Sequence, residues 1–222
     1  MSLQTFEVNP GPLPAATVII LHGLGADGTD FLSFGDELKL PDVGPVRYVF
    51  PRAPVRPVTI NGGHAMRAWY DILNMDLVRR EDAAGLRASF GLIHELLDAE
   101  VARGVPANRI VLGGFSQGCA VTLGAGLRYG QRLAGLVGMS GYMPLAETFA
   151  AERSAANQAA PVFQAHGRSD GVIAIDRAVA TREQLQALSQ PLEWHEYPME
   201  HSVCREEVQH IQAFLRRVLV AD

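Results

Sequence analysis

Six short runs of apolar or β-branched residues alternate along the chain with segments whose apolar residues recur every three or four positions. The runs are typical of buried strands, and the segments are typical of amphipathic helices. Strands are predicted over residues 17–21, 46–50, 109–112, 135–139, 161–165 and 192–197. Helices are clearest over residues 81–103 and 204–219, with apolar faces formed by Leu86, Phe90, Ile93, Leu97 and Val101 and by Val208, Ile211, Phe214 and Leu215. Strands and helices therefore alternate.

This alternation predicts an α/β fold, with a mostly parallel sheet covered by helices on both faces. The 222 residues suit a single domain over 1–222, and no long apolar insertion is present that would form a large lid. Residues 52–67 and 145–160 follow neither period and are predicted to be irregular. Because sites in such folds lie beyond the carboxyl ends of the strands, either segment is a candidate border of a substrate cleft.

Charge and composition exclude several classes of protein. The formal net charge is −5 and the basic residues are scattered among acidic ones, so a nucleic-acid partner is not expected. The first ten residues lack the pattern of a secretion signal, and every apolar run is too short to span a bilayer. We therefore expect a cytoplasmic protein without stable membrane association. Cys119 and Cys204 are not spaced as metal ligands and are predicted to be buried free thiols.

The sequence Gly-Phe-Ser-Gln-Gly over residues 114–118 lies between a predicted strand and a predicted helix. In that context it is typical of a nucleophile elbow, a tight turn that exposes the hydroxyl of its serine, here Ser116. The same turn places the N–H of Gln117 at the start of a helix, where developing negative charge is stabilised. On its own the motif is weak, so the interpretation depends on partner residues elsewhere in the chain.

A nucleophilic serine needs an imidazole that accepts its proton and a carboxylate that orients the imidazole. In hydrolases with such an elbow, both follow the serine, the acid first. Asp170 follows the strand over residues 161–165 and is favoured over Asp176, which lies in the next helical pattern. His201 lies in the loop after the last strand, whereas His195 lies within that strand. His201 is therefore the predicted base. The other histidines weighed against it are interpreted as ordinary surface or core residues: His64, His94 and His210.

A second oxyanion donor is predicted in the glycine-rich loop after the first of these strands. The loop reads Leu-His-Gly-Leu-Gly-Ala-Asp-Gly over residues 21–28, and the N–H of Leu24 is the natural partner of the Gln117 N–H. It lacks both the lysine of a phosphate-binding loop and the spacing of a dinucleotide fingerprint. Nucleotide binding is therefore not expected.

Six motifs together resemble the carboxylesterase/acyl-protein thioesterase family of α/β-hydrolases, and they occur in that family's order over nearly the whole chain. They cover residues 21–28, 53–59, 68–71, 113–118, 166–170 and 199–202. The resemblance implies Ser116, Asp170 and His201 as the triad, with Leu24 and Gln117 as oxyanion donors. It further implies hydrolysis of carboxylic esters, protein thioesters or lysophospholipids without a metal or organic cofactor. Cys119 stands where many relatives carry glycine.

The resemblance and the apolar character of the segment before Asp76 predict one wall of an acyl pocket. Its candidate residues are Trp69, Ile60, Met66, Leu73 and Met75, for which ordinary core packing is the alternative. The absence of a lid insertion favours a serine carboxylesterase acting on short-to-medium esters. The alternatives are an acyl-protein thioesterase, a lysophospholipase, and a catalytically silent hydrolase fold that acts as a binding module. The expected partner is a small-molecule ester or thioester, and a homodimer is an open candidate.

Overall fold

A seven-stranded, mostly parallel sheet forms the centre of the protein. It is seen in a computed structural model that describes residues 3–8, 11, 13–74 and 81–220. The strands of this sheet are β1 Thr5–Val8, β2 Ala16–Leu21, β3 Val46–Pro51, β6 Ile110–Phe115, β7 Gly135–Met139, β8 Val162–Gly167 and β9 Leu192–Tyr197. Their order in the sheet is β1-β3-β2-β6-β7-β8-β9, and of these only β1 runs antiparallel to its neighbour.

Helices cover both faces of this sheet. They are α1 Phe34–Glu37, α2 Ala83–Ala102, α3 Gln117–Gly126, α4 Ala146–Glu152, α5 Ile175–Ala187 and α6 Arg205–Leu219. Apolar residues of α1 and α6 pack on one face, and those of α2 to α5 pack on the other. This double covering explains why β2, β3 and β7 are buried along their whole length and are mostly apolar in sequence. The predicted fold class is confirmed.

Two segments predicted to be irregular contain regular structure. Within residues 52–67, β4 Val55–Val58 and β5 His64–Arg67 pair as an antiparallel hairpin outside the main sheet. The hairpin is mostly exposed, so it lacks the apolar alternation that would have predicted it. Within residues 145–160, α4 is a short alanine-rich helix anchored in the core by Phe149. A single apolar anchor gives too little periodicity to predict a helix.

The described helices include none that is both long enough and apolar enough to cross a membrane. Both cysteines are free thiols, but only Cys119 is buried as predicted. Cys204 is half-buried because it lies at the N-terminus of α6, where the chain leaves the loop that carries His201.

A buried carboxyl group near the start of α6 makes the stability of the protein depend on pH. Glu207 has no exposed surface, and burial raises its pKa from the ordinary 4.5 to about 8. Between these values the unfolded chain is ionised while the folded protein keeps the proton, so Glu207 lowers the stability as the pH rises through this window. Below pH 4.5 both states are protonated and the penalty disappears.

We expect Glu207→Gln to remove this penalty, because glutamine cannot ionise. Between pH 5 and pH 9 the free energy of unfolding should fall less in the variant than in the parent. The difference should be a few kcal/mol, because one unit of pKa shift corresponds to about 1.4 kcal/mol. Urea unfolding of both proteins at several pH values measures the difference. Parallel curves for the parent and the variant would contradict a protonated Glu207 in the folded state.

Candidate active site

Ser116 occupies a strained turn between β6 and α3. Its backbone has φ 57° and ψ −118°, a conformation that costs energy for a residue with a side chain. The turn is held because the Ser116 N–H donates to the carbonyl of Met139 at 2.9 Å, and α3 begins at the next residue. Only 8% of the serine is exposed, yet its hydroxyl contacts His201 in the loop after β9. This is the geometry of a nucleophile elbow.

Gly118 allows α3 to pass close to the end of β2. A Cβ atom at this position would lie 2.3 Å from the carbonyl oxygen of Leu21 and 2.7 Å from that of His22. Real Cβ atoms do not approach backbone oxygens so closely, so only glycine fits without moving β2 or α3. The glycine that the motif requires therefore has a packing cause in this chain.

His201 joins Ser116 to Asp170 by two hydrogen bonds. Its Nε2 lies 2.8 Å from the Ser116 hydroxyl oxygen, and its Nδ1 lies 2.7 Å from Oδ2 of Asp170. Because the carboxylate can only accept, Nδ1 carries a proton and donates it. The bare Nε2 is then free to accept the proton of Ser116. This order of donors and acceptors is that of a Ser-His-Asp triad.

The loop that carries His201 reaches the triad because Gly167 leaves room for it at the end of β8. A Cβ on Gly167 would lie 2.4 Å from the carbonyl of Met199 and 2.5 Å from that of Glu200. The ring of Phe115 packs against the imidazole of His201, with 4.8 Å between ring centroids. Backbone approach on one side and aromatic packing on the other fix the position of the imidazole.

Asp170 is held as a carboxylate at the carboxyl end of β8. Its Oδ1 accepts hydrogen bonds from the N–H groups of Val172 at 2.8 Å and Ile173 at 2.9 Å. Burial alone would raise the pKa of Asp170, but the hydrogen bonds from His201 and from these two backbone groups outweigh it and lower the pKa below its ordinary value. Asp176, the rival acid, lies in the first turn of α5 with its side chain exposed. The structure therefore brings Asp170, and not Asp176, to His201.

Two backbone N–H groups beside Ser116 are available to bind an oxyanion. Gln117 is the first residue of α3, and Leu24 follows Gly23, at which a Cβ would lie 3.3 Å from the Cβ of Ser116. Within the described residues, neither the Leu24 nor the Gln117 N–H donates an internal hydrogen bond. Free donors on two loops that meet at the nucleophile have the arrangement of an oxyanion hole.

Two side chains support these loops in ways that the motifs did not predict. Gln117 accepts a hydrogen bond from the Trp69 N–H at 2.8 Å through Oε1 and donates to the Tyr70 carbonyl at 2.7 Å through Nε2. The buried His22 ring lies 2.7 Å from the Gly23 carbonyl through Nδ1 and accepts from the Ala53 N–H at 3.0 Å through Nε2. Burial lowers the pKa of His22, so the ring is neutral and serves as a structural link. The sequence feature that could have indicated this role is the position of His22 directly before Gly23 at the end of a strand.

The predicted acyl-pocket residues occupy two different environments. Trp69 has no exposed surface and belongs to the core, where its Nε1 donates to the His22 carbonyl at 2.9 Å. Ile60, Met66 and Leu73 are half-buried. Trp69 therefore packs in the core and does not line an open pocket. Met75 lies outside the described residues.

One of the half-buried residues, Met66, lies beside the oxyanion loop. Gly25 of this loop donates to the Arg67 carbonyl at 2.9 Å, and a Cβ on Gly25 would lie 3.8 Å from the Met66 sulfur. The exposed hairpin thus contacts the loop that carries Leu24. Among the described residues, no three His, Cys, Asp or Glu side chains lie together as a metal site.

The sequence is similar to a known protein family over nearly its whole length. A profile of the phospholipase/carboxylesterase family matches residues 4–219. The chain belongs to this family. Acyl-protein thioesterase 1 of Yarrowia lipolytica is 40% identical over 205 residues, which cover 90% of each chain. Acyl-protein thioesterase 1 of Schizosaccharomyces pombe is 37% identical over 98% of this chain and 97% of its own. The family resemblance inferred from the motifs is confirmed.

Solved structures of the same fold include two plant members of similar size. Arabidopsis thaliana SOBER1 superposes with a TM-score of 0.87 at 26% identity, over 92% of this chain and 99% of its own. Zea mays acyl-protein thioesterase 2 superposes with a TM-score of 0.83 at 27% identity, over 97% of this chain and 99% of its own. Together with the family match, these likenesses establish a hydrolase of the α/β-hydrolase fold.

Proposed function

We propose that the protein is a serine hydrolase that cleaves acyl thioesters, and carboxylic esters more slowly, through an acyl-enzyme. The observation that carries the proposal is the continuous chain of hydrogen bonds from the Ser116 hydroxyl through His201 to Asp170. Such a chain raises the nucleophilicity of a hydroxyl that is otherwise unreactive at neutral pH. The strained elbow that presents Ser116 has a cost in stability, which fits an active site better than a silent binding module.

The first half of the reaction transfers the acyl group to the enzyme. The Ser116 oxygen forms a bond to the acyl carbonyl carbon while its proton passes to Nε2 of His201. The carbonyl oxygen becomes an oxyanion, to which the Leu24 and Gln117 N–H groups donate. The intermediate then collapses, the carbon–sulfur or carbon–oxygen bond breaks, and His201 returns the proton to the departing thiolate or alkoxide.

The second half releases the acid and restores the enzyme. Water attacks the carbonyl carbon of the acyl-Ser116 ester as Nε2 of His201 takes one of its protons. The bond to Ser116 breaks, and His201 returns that proton to the serine oxygen. During both halves Asp170 stabilises the transient imidazolium, because its lowered pKa keeps it ionised at neutral pH.

The names of the relatives point to a different substrate class from the one that the sequence alone predicts. The sequence alone predicts activity on short-to-medium carboxylic esters, with a thioesterase or a lysophospholipase as the alternatives. The curated relatives at 37–40% identity over nine-tenths or more of the chain are named acyl-protein thioesterases, which supports the thioesterase alternative. The proposed substrate is therefore an S-acylated cysteine of a protein or peptide.

A panel of matched substrates tests this choice. Each acyl chain, from acetyl to palmitoyl, is offered as a thioester and as an oxyester of the same leaving-group skeleton, and the palmitoyl series includes an S-acylated peptide and a lysophospholipid. We expect the S-acylated peptide to have the highest kcat/KM after subtraction of the uncatalysed rate. A preference for short oxyesters by tenfold or more would instead make the protein a carboxylesterase. Highest activity on the lysophospholipid would make it a lysophospholipase.

A further inference from the structure

A buried histidine, His166, contacts the same oxygen of the triad acid as His201 does. His166 is the penultimate residue of β8 and has no exposed surface. Its Nε2 lies 2.8 Å from the carbonyl oxygen of Ile173 and 3.3 Å from Oδ2 of Asp170. This ring takes no part in the proton transfers between Ser116, His201 and the substrate.

The partners of Nε2 fix the tautomer of His166. A carbonyl and a carboxylate can only accept, so Nε2 carries the proton and donates it chiefly to the nearer Ile173 carbonyl. Burial lowers the pKa of His166, and the ring is therefore neutral at physiological pH. The charged or titratable groups that act on it are Asp170, His201 and Glu196 of β9. A neutral ring with one N–H directed to a catalytic loop is a fixed donor.

His166 is linked to one oxygen of the triad acid through Ile173 and contacts the other oxygen directly. The Ile173 N–H donates to Oδ1 of Asp170 at 2.9 Å, while its carbonyl accepts from His166. The same His166 N–H flanks Oδ2, the oxygen that receives the Nδ1 proton of His201. The ring therefore holds the turn that binds one carboxylate oxygen and contacts the other directly.

We propose that His166 is a positioning residue that keeps the Asp170 carboxylate aligned with Nδ1 of His201. This inference rests on the proposed function, since it concerns how the triad acid supports its base. Without the ring, the turn over residues 170–173 loses its anchor and the Asp170–His201 hydrogen bond weakens. A weaker bond stabilises the imidazolium less, both in the resting protein and in the transition state.

The test compares three variants of β8. His166→Leu removes the donor, His166→Gln restores an N–H near the position of Nε2, and Gln164→Leu is the matched control. Gln164 is also fully buried, two residues earlier on the same face of β8, and donates to the Ala178 carbonyl of α5 at 3.4 Å, away from Asp170. Each variant thus alters one buried polar side chain on the same strand.

The main readout is the titration of the His201 ring by NMR in the resting protein, which needs no substrate. In His166→Leu we expect the His201 midpoint to move to lower pH by about half a unit and kcat to fall about tenfold with little change in KM, the scale of one lost hydrogen bond. His166→Gln should recover most of both losses. Gln164→Leu should lower the thermal midpoint without moving the His201 titration.

An unchanged or raised His201 midpoint in His166→Leu would overturn the inference, as would an equal shift in Gln164→Leu. If His166→Leu does not fold, the ¹⁵N shifts of the parent decide, because the inference requires His166 to stay neutral with its proton on Nε2. A proton on Nδ1 would overturn it. If the parent hydrolysed none of the substrates, that result would count against the proposed function alone, because the titration of the histidine rings is measured without substrate.

Discussion

Ser116→Ala should fold normally and lose about 10⁶-fold in kcat, as triad serines do when they are removed. Alanine keeps the Cβ that packs beside Gly23 but removes the oxygen that lies 2.8 Å from His201. Because alanine has the same unfavourable positive φ, the thermal midpoint should change little. Activity of purified protein on the best substrate of the panel measures the loss, and a serine-directed phosphonate should label the parent at Ser116 alone.

Ser140→Ala is the matched control for this experiment. Ser140 directly follows β7, is buried, and also has a positive φ of 49°. Its hydroxyl lies 3.4 Å from the Ser202 carbonyl and, within the described part of the chain, forms no hydrogen bond with an imidazole. We expect it to keep most of the parent activity. Residual activity of Ser116→Ala within about tenfold of the parent would reject Ser116 as the nucleophile, since a lost nucleophile costs far more. Phosphonate attached to another residue would reject it as well.

The arrangement of the candidate site could be predicted from sequence because its side chains lie just after the carboxyl ends of strands. Ser116, Asp170 and His201 each follow a predicted strand, so a parallel sheet brings them to one edge whatever the details of packing. Their order along the chain then assigns the roles. The Glu207 carboxyl gave no such signal, because a glutamate in the first turn of a helix is usually solvated and its burial arises from the packing of α6 on the sheet.

The missed features depend on contacts between distant segments. The Gln117 side chain forms hydrogen bonds with the backbone of Trp69 and Tyr70, which are more than forty residues away in sequence. No rule of residue spacing predicts that contact. Trp69 was predicted to be a pocket residue from the family resemblance and the apolar character of its segment, whereas its ring packs in the core with residues of α2 and α3. The single-domain organisation, the cytoplasmic location and the homodimer stay predictions.

Asp170→Asn should lower kcat by about 10⁴-fold, the size of the effect when a triad acid becomes an amide. The cause lies in how the structure holds the two carboxylate oxygens. The N–H groups of Val172 and Ile173 both donate to Oδ1, so the amide oxygen of asparagine must take that place. The amide NH₂ then faces His201 and donates to Nδ1, which leaves the proton on Nε2. In that tautomer His201 cannot accept the proton of Ser116.

Asp176→Asn is the control, since Asp176 is an exposed carboxylate six residues further along, in the first turn of α5. It should keep nearly all of the parent activity. NMR of the His201 ring separates the proposed cause from a folding defect, because Asp170→Asn should show the proton on Nε2 in a protein with a normal thermal midpoint. The opposite ranking of the two variants in kcat/KM would make Asp176 the triad acid. A large loss in Asp170→Asn with the proton still on Nδ1 would mean that Asp170 acts through its charge rather than by selecting the tautomer.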